Sequence, residues 1–154
     1  AMTFSDFFWP CFYSFWGCVG FCLLFHIRPR RWMMPVASLG GAIAWGVYLL
    51  CSPAQNDIIQ YFVAALAVTA YSEGMARLFK SPATCYLIVG LIPLVPGGGI
   101  YYTMEYGIRG DTMLFLENGM HTLGIAGALA IGVLMVSGIV RIAGARPRRD
   151  AERR

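Results

Sequence analysis

The stretch GLIPLVPGGGIYYTMEYG, residues 90–107, joins two halves that point to opposite conclusions about the chain. Its first half continues an unbroken apolar run and reads as part of a helix. Pro93 and Pro96 then remove two backbone donors, and each ring crowds the turn before it. Gly97, Gly98 and Gly99 follow and give the backbone freedom that other residues lack. Tyr101, Tyr102 and Glu105 come next. In water such a stretch is an ordinary turn. In lipid every backbone N–H and C=O needs a partner, so it would be costly unless buried in protein or facing a wet cavity.

The surrounding sequence decides between these settings. Of the 154 residues, 58% are hydrophobic and 13% charged, where a soluble domain carries about a quarter charged residues. The charge-free runs are long: Phe7–Phe25, Trp32–Asn56, Ser81–Met104, and Asn118–Val140 with His121 neutral. Ile58–Ala76 carries one charge, Glu73. Each is close to or above the ~18–20 residues that cross a hydrocarbon core. The expected fold is an all-α integral membrane protein with five transmembrane helices, at about 7–25, 33–52, 58–79, 82–104 (broken at 93–99) and 118–141. These form one transmembrane domain, 1–145, followed by a basic tail, 146–154. The first run lacks a basic leader and a small-residue cleavage site, so it is expected to be a span and not a signal peptide. Soluble enzyme chemistry is not expected, because no folded domain fits between the spans. EYGIRGDTMLFLE is the longest expected external segment.

Charge asymmetry gives the orientation. Eleven of the twelve basic residues lie between spans one and two (Arg28, Arg30, Arg31), between three and four (Arg77, Lys80), or after span five (Arg141, Arg146, Arg148, Arg149, Arg153, Arg154); the other is Arg109. By the positive-inside rule the amino terminus faces out and the carboxyl terminus faces the cytoplasm. A multi-pass protein of the plasma (inner) membrane is expected, with the basic tail a membrane-surface anchor and not a nucleic-acid contact.

Small residues recur every fourth position on span two (Ser38, Ala42, Gly46) and on span five (Gly124, Ala128, Gly132), a spacing that lets helix backbones touch. These faces are expected to be available to partners. Cys11, Cys18, Cys22, Cys51 and Cys85 form no CxxC pair and read as small packing residues; neither a metal nor a cofactor is expected. Glu73 is an intramembrane carboxylate and so a proton-coupling candidate, though Arg77 lies at i+4 and could simply pair with it. His121, at the start of span five, is the second such candidate, or an idle residue near the headgroups.

The fourth span starts near Pro82, and about 20 Å of helix brings it to Leu94, short of the ~30 Å core. One reading therefore places the break inside the bilayer. A helix restarting at Ile100 would aim its free N–H groups into the break as an anion site, with Pro93, Pro96, Gly97, Gly98, Gly99, Tyr101 and Tyr102 as substrate-binding candidates. The other reading makes the fourth span short and the glycines its external turn.

EGMARLFKSPATCYLIVGLIPLVPGGGIYYTM, residues 73–104, resembles the signature of the threonine/serine exporter family, and specifically its smaller five-helix half. FHIRPRRWMMPVASLGGAIAWG, residues 25–46, is similar to the family's corresponding region. The resemblance implies secondary transport of threonine- and serine-like amino acids, with small dicarboxylates for some two-subunit relatives. It also implies a second, larger membrane subunit. The expected function is one subunit of a proton-driven exporter of small carboxylate-bearing solutes. The alternatives are an assembly subunit with no substrate site, or a homo-oligomeric channel or carrier.

Overall fold

The computed structural model describes residues 4–24, 33–51 and 56–144, and the described residues are helical with short connections. The basic turn with Arg28, Arg30 and Arg31 and the tail from Arg146 lie outside them. The helices are α1 (Phe4–Leu24), α2 (Met33–Leu50), α3 (Asp57–Phe79), α4 (Ala83–Leu91), α5 (Gly97–Arg109) and α6 (Thr112–Gly144), with a single 3₁₀ turn at Ile92–Leu94 after α4.

Local chemistry sets these ends. Asn56 is extended before α3, Asp57 lies in its first turn and Arg77 in its last, so both charges oppose the helix dipole. Lys80 closes α3 in the left-handed region, φ 50°, with its N–H on the Ala76 carbonyl. Pro82 is extended and stands immediately before α4, where its missing donor costs little. Gly110, φ 79°, ends α5, and the Asp111 N–H closes back on the Tyr106 carbonyl at 3.1 Å, a usual glycine-terminated helix end.

Two helices, α3 and α6, are long and apolar enough to cross a membrane; a third span arises if Ala83–Leu94 and Gly97–Arg109 count together despite their 51° bend. The described parts of α1 and α2 are shorter apolar helices. The segment expected as the longest external connection is instead mostly helix. Its sequence has Gly110 as its one forced reversal, so α5 and α6 become a tight helical hairpin and α6 begins at Thr112, ahead of the expected 118.

The core is a layered bundle. α2 packs against α1, α3 and α4; α3 also packs against α4 and α6; among the described residues α5 touches α6 alone. α3 and α6 run parallel, since Gly124 faces Ile58, Gly132 faces Ala65, and the Arg77 guanidinium donates to the Val140 carbonyl at 3.2 Å. One buried cluster joins Cys18, Cys22, Ala37, Ala76, Tyr86 and Val89; another joins Ala44, Ala64, Val68 and Leu94. The two cysteines therefore pack as small apolar residues, and the described residues hold no group of three candidate metal ligands.

Glycine sets a close crossing of α2 and α4. A Cβ on Gly90 would lie 2.5 Å from Val68 Cγ2 and 3.5 Å from the Gly40 carbonyl carbon. α2 and α4 thus meet backbone to backbone at Gly40 and Gly90, which are not members of the expected span-two stripe. The span-five stripe faces inward: Ala128 and Gly132 are buried, and a Cβ on Gly132 would lie 2.9 Å from Ala65 Cβ and 3.2 Å from the Phe62 carbonyl oxygen. It builds the α3–α6 contact of the same chain, and is not free for a partner. Gly132→Leu is accordingly expected to destabilise the fold by about 1–3 kcal/mol, the range for overpacking, at any protein concentration. Thermal melts across a dilution series check this; a loss only on dilution would point back to an intermolecular role.

Candidate functional site

The backbone around Pro93 and Pro96 is short of hydrogen bonds in a specific way. Pro93 has no N–H for the Val89 carbonyl one turn earlier. The Cys18 thiol on α1 takes that place, 3.4 Å away. Gly41 on α2 lets this happen: a Cβ there would collide with Cys18 Sγ and lie 3.3 Å from Pro93 Cγ. The Ser14 hydroxyl donates to the Gly41 carbonyl at 3.1 Å. α1, α2 and the end of α4 are therefore pinned together where the proline interrupts the ladder. Leu94, fully buried, anchors the 3₁₀ turn against Ala44, Ala64 and Val68.

After Leu94 the chain extends at Val95 (ψ 124°) and passes through Pro96 (φ −75°, ψ 58°). α5 restarts at Gly97, three residues before the expected Ile100, so the glycines form its first turn and do not line an open gap. Gly97 donates to the Val95 carbonyl at 2.7 Å, and Ile100 donates to the Pro96 carbonyl at 3.1 Å. The N–H groups of Gly98 and Gly99 have no such partner among the described residues. A Cβ on Gly98 would meet nothing within 4 Å, so open space lies beside these donors. Gly99 is close to α6: a Cβ there would lie 2.5 Å from Thr122 Oγ1. The result is the N-terminus of a 13-residue helix with two unspent donors, the arrangement that favours a negative group.

The other expected residues separate into two sets. Pro93 and Pro96 shape the break and are half-buried. Tyr101 and Tyr102 pack edge to face at 5.5 Å and are 65% and 53% exposed; they follow the first turn of α5. Glu73 is half-buried, and the structure does not pair it with Arg77, whose guanidinium turns to Val140 on α6. Glu73 has no ion pair among the described residues. His121 is exposed, with Nε2 3.8 Å from the Asp57 carboxylate. Glu105, on α5, pairs with Arg109 one turn on.

Two grooves adjoin this region. One, of about 310 Å³, lies between α5 and α6 among Ile100, Met104, Phe115, Leu116, Met120 and Leu123. Its hydroxyls are already spent: Thr103 donates to Gly99 and Thr122 to Asn118, both at 2.7 Å. The second, of about 360 Å³, is bounded by Pro10, Tyr13, Ser14, Trp45 and Pro93. The Trp45 indole N–H is buried with no partner, an unusual state for a buried donor.

Trp45, Cys18 and Gly41 were not among the residues expected to matter. Only the missing donor at Pro93 hints at them, because it orphans a carbonyl that some neighbour has to satisfy. Nothing in the spacing identifies Cys18 as that neighbour.

A family model described as Threonine/Serine exporter, ThrE, matches residues 10–139. No curated protein and no solved structure matches the chain.

Proposed function

The chain belongs to the threonine/serine exporter family, and we propose that it works there as a membrane subunit of a secondary transporter that exports small carboxylate-bearing solutes, with threonine- and serine-like amino acids first among them. The observation that carries the site is the pair of free N–H groups at Gly98 and Gly99, beside open space at the head of α5. A carboxylate accepts from such donors and gains from the helix dipole.

In this reading the chain crosses the inner membrane five times, with its amino terminus outside, and Ala83–Arg109 is one interrupted span. Depth along α3 supports it. Leu94 lies in one buried cluster with Ala64, which stands about 10 Å along α3 from Asp57 at 1.5 Å per residue. Asp57 and Arg77 are about 30 Å apart by the same rise, the thickness of a hydrocarbon core. The break then falls inside the outer leaflet, where exposed backbone donors are rare and functional. Glu73, half-buried and without an ion pair among the described residues, is the intramembrane proton carrier; His121 is the outer protonation site. A second, larger membrane subunit completes the path.

Transport assays in proteoliposomes test this. The chain with its partner subunit is expected to move labelled serine or threonine when a proton gradient is imposed, in the direction opposite to the proton flow. Glu73→Gln is expected to keep substrate binding while removing the response to that gradient. Serine binding with no movement in any subunit combination would leave a receptor or assembly role in its place.

A further inference from the structure

α6 is 33 residues long, and two of its sides are used within the chain. Ile125, Ala128 and Gly132 are buried, with Gly132 against α3, and Thr122 meets Gly99 of α5. On a third side Met113, Leu116, Met120 and Leu123, then Gly127, Ala130 and Leu134, are all exposed. Their spacing alternates strictly between three and four residues. That is the 3.5-residue repeat of a left-handed coiled-coil seam. The five large members are 53–83% exposed, and a Cβ on Gly127 would meet nothing within 4 Å. Among the described residues only α3 and α5 pack on α6, so this seam has no helix against it.

The level of the seam narrows what can cover it. His121 stands 3.8 Å from Asp57 at the start of α3, and Val140 accepts from Arg77 near its end. Asp57 to Arg77 spans about the thickness of a hydrocarbon core. Thr112–Met120 therefore carries α6 about 13 Å beyond that core at 1.5 Å per residue. Met113, Leu116 and Met120 stand out of reach of acyl chains, and bulk water is an unfavourable setting for a contiguous apolar row. Another protein surface is what suits them.

We infer that this seam pairs with the same seam of a second copy of the chain, α6 against α6, in a two-fold dimer. The inference rests on the membrane placement given above for the level of the seam, and not on which solute is moved.

A second copy fits because copies insert the same way round. A two-fold axis along the membrane normal then sets their α6 helices parallel and level. Each seam residue meets its own counterpart, and an unbroken heptad row is complementary to itself in that arrangement. No seam position is charged, so pairing brings no like charges face to face. Gly127 and Ala130 form two small layers where the backbones can approach inside the lipid. The five large side chains would each withdraw on the order of 60–120 Å², hence roughly 300–600 Å² per copy, most of the way to the ~800 Å² per partner of a standard interface. Leu116, Met120 and Leu123 also wall the groove of about 310 Å³ between α5 and α6, which a second α6 on the seam would close.

Cysteine cross-linking and one glycine variant test the pairing. The full chain is oxidised in the membranes in which it is expressed, with any subunit made beside it. Leu116→Cys is expected to give a disulfide-linked species of twice the chain mass, at least fivefold above Leu114→Cys and above the background of the five native cysteines. Leu114 is exposed at nearly the same level but off the seam. Gly127→Leu adds a side chain where a single chain has open space. It is expected to leave the thermal melt unchanged and to shift the monomer–dimer equilibrium in detergent at least tenfold toward monomer. Equal cross-linking from Leu114→Cys and Leu116→Cys would overturn the pairing, as would a dimer unaffected by Gly127→Leu. A lowered melt in Gly127→Leu would put that position inside the chain's own packing and overturn the seam. A Leu116→Cys product joined to a different subunit also overturns the dimer and assigns the seam to that subunit. Cross-linking as expected in protein that moves no serine would leave the dimer standing and remove the transport reading.

Discussion

Gly98→Val is expected to reduce transport by at least about 100-fold while leaving the protein folded and assembled. The first half of that expectation comes from the donors. A hydrogen bond to a charged group contributes about 1.5–3 kcal/mol, and the N–H groups of Gly98 and Gly99 are both left unspent by the α5 backbone. A branched side chain at Gly98 would occupy the space through which a carboxylate reaches them. The second half comes from the surroundings. A Cβ there meets nothing within 4 Å, and Gly98 does not sit in the left-handed region. The Cβ therefore adds no clash and the backbone no strain, and the effect on stability should stay within about 0.5 kcal/mol. Serine transport and a thermal melt on the same preparation check both halves. Gly98→Ala, which adds one methyl, should give a partial loss. Full transport by Gly98→Val would show that solute does not approach this helix end, and the assembly-subunit reading would then gain.

Gly90→Val should do the reverse and remove the folded protein itself. Gly90 is eight residues from Gly98, but its environment is the opposite. Its Cβ position is already filled by Val68 Cγ2 at 2.5 Å, with the Gly40 backbone behind it at 3.5–3.8 Å. Val68 is fully buried and cannot swing away. The backbone of α2 cannot move without disturbing Gly41, and with it the contact that lets Cys18 reach Val89. Overpacking a tight core costs about 1–3 kcal/mol, and a backbone-to-backbone crossing has the least room to relax. Folded yield after detergent extraction should fall severalfold, and what remains should melt lower. Gly90→Ala is the milder test, and Val68→Ala in the same chain should recover part of its loss because it removes the nearest clashing atom. No rescue would mean that the α2 backbone, and not Val68, sets the limit.

The sequence by itself was enough for the class of molecule. Long apolar runs with few charges leave helices as the way to satisfy a backbone away from water. Pro93 and Pro96 each take a donor out of the helix ladder, and that defect lies in the residues themselves. The same local logic made the motif from Glu73 to Met104 legible as that of an exporter family, which the match over residues 10–139 shows. What the sequence could not provide was the neighbour of each face. Helical periodicity shows that Gly132 and Ala128 share a stripe, but not that α3 of the same chain fills it. It shows Glu73 and Arg77 one turn apart, but not that Val140 draws the guanidinium away. It could not tell that the glycines would wind into the first turn of α5, because that depends on α6 supporting the restart at Thr122. Nor could it join Cys18 to the carbonyl that Pro93 leaves bare. Backbone defects are written into a few adjacent residues, whereas their partners are brought from other helices, and only packing decides which helix arrives.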